Sequence, residues 1–95
     1  MARPEHLYVF AYDISRDRLR TKVSELLERH LVRAQLSLFE GRMTAPRAKA
    51  LAHRVETMIG PDDSLRVYCV TEAGRRASMA FGPNPLPEAQ QFFLV

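Results

Sequence analysis

The chain has 95 residues and a formal net charge of +3, and 46% of its residues are hydrophobic. That composition excludes a disordered chain, and the length allows one small domain whose modest core makes oligomerisation a natural supplement. No apolar run approaches the roughly 20 residues of a membrane span, the N-terminus lacks a signal-peptide core, and a single cysteine cannot form an internal disulfide, so a cytoplasmic chain is expected.

The cations are unevenly chosen, with twelve Arg against two Lys. Arg forks match phosphate oxygens bidentately. A GC-rich coding bias produces the same ratio, so the ratio alone decides nothing.

A first strand is expected over Leu7–Tyr12, running into Asp13. Leu7, Val9 and Ala11 point one way, and Tyr8, Phe10 and Tyr12 the other. Both sets are apolar or aromatic, which predicts a central strand covered on both faces, by helices on one side and by something else, such as another subunit, on the other. A helix follows, with Ser15 as the expected N-cap and Asp17 in its first turn. Leu19, Val23, Leu26 and Leu27 form its buried stripe, and its end is expected near His30.

The next thirteen residues, Leu31 to Met43, are too many for one average strand. They read as a hairpin with strands near Val32–Gln35 and Leu38–Arg42, although Gln35-Leu36-Ser37 lacks the Gly or Asn that tight turns favour. A second helix is bounded by Thr44 as N-cap, Pro46 in its first turn, and Gly60-Pro61 as the stop. Ala48, Leu51, Ala52, Val55 and Ile59 form its buried stripe. A fourth strand is expected at Leu65–Val70, with Cys69 as an inert buried thiol. Glu72–Arg76 reads as a polar break, followed by a short strand at Ser78–Phe81. Pro83, Pro85 and Pro87 then stiffen an extended linker, and Phe92–Val95 should dock as an edge strand on this subunit or on a partner.

The order β-α-β-β-α-β is the ferredoxin-like plan. The expectation is therefore an α+β, ferredoxin-like sandwich over residues 1–82 with one or more extra C-terminal strands. Residues 83–95 would be a linker and docking strand, and the sheet face without helices would be free to pair.

Asp13, at the carboxyl end of the central strand, has two readings. It helps cap the first helix, or it binds a divalent cation. Mg²⁺ takes one or two carboxylates together with waters and phosphate oxygens. One acid per chain is little for that task, but a two-fold dimer would bring two Asp13 side chains together if the strand ends meet at its axis. Arg16, Arg18, Arg20 and Lys22 give the first helix a cationic side, which is either a phosphate-binding surface or an ordinary solvated face. Arg33 is a further candidate, and Phe39 is either core or a base-stacking platform. The histidines lack partners at metal-ligand spacing. The serines lack a nucleophile elbow, and no Gly-rich phosphate loop or zinc pattern is present.

Tyr12-Asp13-Ile14-Ser15, the basic helix, Arg33-Ala34-Gln35-Leu36-Ser37-Leu38-Phe39-Glu40-Gly41 and Leu65-Arg66-Val67-Tyr68 together resemble the CRISPR-associated Cas-two (Cas2) family. The likeness covers nearly the whole chain, including the Pro-rich tail. It implies a face-to-face homodimer whose C-terminal strand crosses to the partner. It also implies a role in spacer acquisition beside a Cas-one (Cas1) type integrase, in antiviral adaptation. Family members act as Mg²⁺-dependent endonucleases on RNA or double-stranded DNA, with Mn²⁺ as a possible substitute, or serve as non-catalytic DNA-binding scaffolds. By position, Asp13 from each subunit matches the family's metal-binding aspartate. Arg20, Arg33 and Phe39 match positions tied to nucleic acid or activity. Lys22 stands where an Arg is frequent, which puts a bidentate phosphate contact there in doubt.

Overall fold

A computed structural model describes residues 3–86. The elements are β1 (Glu5–Asp13), α1 (Asp17–Glu28), β2 (Val32–Gln35), β3 (Leu38–Thr44), α2 (Ala45–Glu56), β4 (Ser64–Val70) and α3 (Glu72–Ala77). The four strands form one antiparallel sheet in the order β2-β3-β1-β4. This is the ferredoxin-like α+β arrangement, with β1 central as its two-sided apolar pattern predicts. No helix among the described residues is long and apolar enough to cross a membrane.

Alternation along β1 separates two faces. Tyr8, Phe10 and Tyr12 belong to the buried core with Val23, Leu26 and Leu27 of α1, Phe39 and Met43 of β3, and Ala48, Leu51 and Val55 of α2. Phe10, Phe39, Leu27, Val23 and Val55 have no exposed surface. Register places Phe10 between Phe39 and Val67, so the aromatic pair lies at the centre of the helix-covered face. Gly41 sits on the same face opposite Tyr8. A Cβ there would stand 2.9 Å from Leu31 Cδ2, so the missing side chain is what lets Leu31 pack down onto the sheet.

The opposite face carries Leu7, Val9 and Ala11 beside Leu38, Glu40, Arg42, Arg66 and Tyr68. Val9, Ala11, Leu38 and Glu40 are half-buried, and Tyr68 and the neighbouring Val32 of β2 are exposed. This face therefore carries an apolar patch of Val9, Ala11 and Leu38 beside the Glu40 carboxyl, and it is open to solvent among the described residues.

Four expectations need correction. Ser15 is not the cap of α1; Arg16 occupies the N-cap without a side-chain bond, and the Ser15 amide is used elsewhere. The polar stretch after β4 is not a break but α3. Thr71 caps it by accepting from the Gly74 amide at 3.0 Å, Glu72 lies in the first turn, and Arg75 and Arg76 lie in the last. The strand expected at 78–81 is absent, and those residues follow α3 as exposed chain without regular secondary structure. Cys69 is exposed rather than buried, because β4 is an edge strand with only part of its length covered.

Helix α3 lies over one end of the open face. Its Glu72 pairs with Arg75 at 3.0 Å and with Arg42 at 3.7 Å, and Arg42 and Leu7 are register partners. Leu7 is buried there. Asp13 lies six residues further along β1, about 20 Å away at strand rise, so α3 leaves the Asp13 end uncovered. Beyond α3, Asn84 Nδ2 donates to the Ala34 carbonyl of β2 at 3.1 Å. The C-terminal strand expected at Phe92–Val95 lies outside the described residues.

Candidate functional site

The site is built at one end of the sheet, where the end of β1, the first turns of α1 and the β2–β3 hairpin meet. Asp13 ends β1, and Arg20 comes from the first turn of α1. Arg33, Leu36 and Ser37 belong to the β2–β3 hairpin. With Tyr12, Ile14, Thr21 and Ser24 they line one cleft of about 520 Å³.

The Asp13 side chain is exposed, and by alternation it lies on the open face with Val9 and Ala11. No described residue donates a hydrogen bond to its carboxylate or forms an ion pair with it. The helix-capping account of Asp13 therefore has no support in the geometry, and the acid is available to a ligand.

Both cleft cations are held by backbone carbonyls. Arg20 Nη1 donates to Ile14 O at 3.0 Å and to Ser15 O at 3.3 Å, while its other fork pairs with Asp17. Arg33 Nη1 donates to Leu36 O at 2.8 Å, and its Nη2 pairs with Glu28 at 3.2 Å. A guanidinium carries five N–H donors, so each keeps further donors for an anion. The Arg33 guanidinium also lies 4.9 Å from the centroid of the Phe39 ring.

Tyr12 completes the support. Its hydroxyl donates to Leu36 O at 3.1 Å, its amide donates to Ser37 O at 3.1 Å, and its ring stacks on Phe39 at 6.2 Å. Burial pushes the Tyr12 phenol above its ordinary value, opposed by the Arg33 and Arg20 charges and assisted by Glu28. The phenol therefore stays protonated at neutral pH and remains a donor to the hairpin. These long-range bonds hold a turn whose own residues are poor turn formers.

The expected binding residues separate into groups. Asp13, Arg20 and Arg33 converge on the cleft. Arg16 lines a separate hollow of about 440 Å³ with Asp62 and Asp63. Arg18 and Lys22 are each two residues from Arg20, so they project from α1 roughly 160° around its axis. They are exposed and belong to the outer surface. Phe39 has no exposed surface, so it cannot meet a base directly; it acts beneath Arg33. Sequence reasoning missed the roles of the Tyr12 hydroxyl and Glu28, since each depends on a contact across the fold. Among the described residues, no group of three or more His, Cys, Asp or Glu is placed to hold a metal ion.

The family model described as CRISPR associated protein Cas2 matches residues 6–77. The chain belongs to the Cas2 family. It is 33% identical over 86 residues to the CRISPR-associated endoribonuclease Cas2 1 of Chloroflexus aurantiacus, covering 88% of this chain and 92% of that one. Among solved structures, a hypothetical protein from Thermus thermophilus superposes with a TM-score of 0.77 at 33% identity, over 90% of this chain and all of the other. A chain from a partial Cas6-RT-Cas1–Cas2 complex superposes with a TM-score of 0.73 at 26% identity, over 87% of this chain and 92% of that one.

Proposed function

We propose that this chain is a homodimeric, Mg²⁺-dependent endonuclease of CRISPR spacer acquisition that binds nucleic acid and assembles with a Cas1-type integrase. The observation that carries this reading is the Asp13 carboxylate, exposed and without a protein partner, in one cleft with Arg20 and Arg33. The endoribonuclease name of the Chloroflexus relative supports a nuclease, and the complex containing Cas1 supports an integrase partner.

The residues fit a hard divalent cation. A solvated carboxylate is a suitable ligand, and a second Asp13 from a partner subunit would complete a two-carboxylate set with waters and phosphate oxygens filling the rest. The half-buried patch of Val9, Ala11 and Leu38 on the open face, on the same side of the sheet as Asp13, suits face-to-face pairing of two sheets. When bound, such a cation polarises a phosphodiester and acidifies a bound water. Arg20 and Arg33 would fix the phosphate by bidentate hydrogen bonds and offset its charge. The C-terminal arm beyond residue 82, with its apolar end, would dock as a strand on the partner.

A second reading, a non-catalytic dimeric scaffold for duplex DNA, is favoured by Arg18 and Lys22. They lie on the outer surface of α1, away from Asp13, and suit backbone contacts that involve no cleavage.

The two readings part at Asp13→Asn. Rigorously purified wild-type protein should cut RNA or duplex DNA with Mg²⁺ or Mn²⁺. The variant should lose cleavage while keeping nucleic-acid affinity and the dimer. Equal cleavage by both proteins would remove the enzyme reading.

A further inference from the structure

We propose that Asp63 is a positioning residue that sets the backbone carrying Asp13. Its two carboxylate oxygens accept from two different loops. Oδ1 takes the Ser15 amide at 3.2 Å, and Oδ2 takes the Gly60 amide at 2.9 Å. The Asp63 amide returns a bond to Gly60 O at 3.1 Å, so the turn after α2 is closed on itself. The next residue, Ser64, is the register partner of Asp13.

The placement matters because the Asp13 carboxylate has no hydrogen bond of its own among the described residues. Its position depends on the main chain from Asp13 to Ser15. That segment is held three ways. Asp13 pairs with Ser64 across the sheet, Arg20 donates to the carbonyls of Ile14 and Ser15, and Asp63 accepts the Ser15 amide. Arg20 is itself offered to phosphate, whereas Asp63, like the Ser64 pairing, is an anchor that substrate does not compete for. A carboxylate offers one acceptor oxygen to each amide. An Asn offers one oxygen and would point N–H donors at a second donor.

The inference rests on the reading of Asp13 as a metal ligand, and its test separates the two. Mn²⁺ binding is measured by electron paramagnetic resonance on the full chain, together with kcat and KM for RNA cleavage and hydrogen exchange at the Ser15 amide. Asp63→Asn should raise the Mn²⁺ half-saturation about tenfold and lower kcat by a similar factor, the lower end of what outer-shell ligand support is worth. KM should stay within about twofold, since Arg20 and Arg33 remain. Ser15 exchange should quicken. Asp63→Glu, which keeps two oxygens, should recover part of the loss. Ser15→Pro removes the donor instead of the acceptor and should reproduce the defect should Asp63→Asn fail to fold. Leu51→Ala, a core truncation, should lower stability without moving Mn²⁺ half-saturation. Unchanged Mn²⁺ half-saturation in Asp63→Asn and Ser15→Pro would overturn the positioning role while leaving the metal site standing. Equal Mn²⁺ binding by wild type and Asp13→Asn would overturn the metal site, and this inference with it.

Discussion

The guanidinium of Arg33 rests 4.9 Å from the ring centroid of Phe39, and one of its nitrogens donates to the Leu36 carbonyl at 2.8 Å. A fully buried ring thus supports a cation in the cleft that holds Asp13. Phe39 is a core residue whose ring face helps fix where Arg33 can sit.

Phe39→Leu keeps an apolar side chain and removes the ring face. It should weaken nucleic-acid binding severalfold, in line with about 0.5–1 kcal/mol for an exposed cation–π contact. Arg33→Ala should then cost less in the Phe39→Leu background than in wild type. The double-mutant cycle, read from binding titrations at one salt concentration, should give a coupling of at least about 0.5 kcal/mol. Additive effects would show that the ring does not position the cation.

Cleft and outer-surface cations should separate in kinetics. Arg20→Ala and Arg33→Ala should lower cleavage as well as binding. Arg18→Ala and Lys22→Ala should weaken binding with kcat unchanged. Each of the four should reduce the slope of log affinity against log salt by about one if it meets a phosphate. A cleavage defect in Arg18→Ala matching that of Arg20→Ala would contradict the division of α1 into two surfaces.

Glu40 should make stability pH-dependent. It lies on the open face between Val9 and Val32, and burial raises its carboxyl pKa above the ordinary value. The folded chain then keeps a proton across a window where the unfolded chain has lost it. The associated stability is fully present below the ordinary carboxyl value and is lost as pH rises through the raised one. Glu40→Gln should melt higher than wild type at neutral pH and lose this acid-side gain. Sheet-to-sheet pairing would bury Glu40 further, so the dimer should tighten on mild acidification, and sedimentation should show it. A pH-independent difference between the two proteins would count against burial of Glu40.

The chain's helices and strands were readable where local pattern and tertiary demand agree. Tyr8, Phe10 and Tyr12 alternate with Leu7, Val9 and Ala11, and β1 is central. Thr44 accepts from the Arg47 amide at 3.4 Å, as a capping residue ahead of Pro46 should. The misreadings have physical causes. Ser15 is a good cap by type, but its amide is claimed by Asp63, forty-eight residues away. Glu72–Arg76 looks too polar for a packed element, yet α3 is held by charge, through Arg42, Glu72 and Arg75, and not by an apolar stripe. The poor turn at Leu36-Ser37 is held by Tyr12 and Arg33. Asp13, Arg20 and Arg33 were recognisable as candidates, but their separation from Arg18 and Lys22 required the helix's orientation on the sheet.

In the proposed dimer, two Asp13 carboxylates, one from each subunit, would share one cation. The direct measurement is the stoichiometry of tight Mn²⁺ binding by electron paramagnetic resonance, on protein whose mass is followed by light scattering. One Mn²⁺ per dimer is expected in wild type and none in a still-dimeric Asp13→Asn. One Mn²⁺ per chain, or binding that survives in Asp13→Asn, would contradict it.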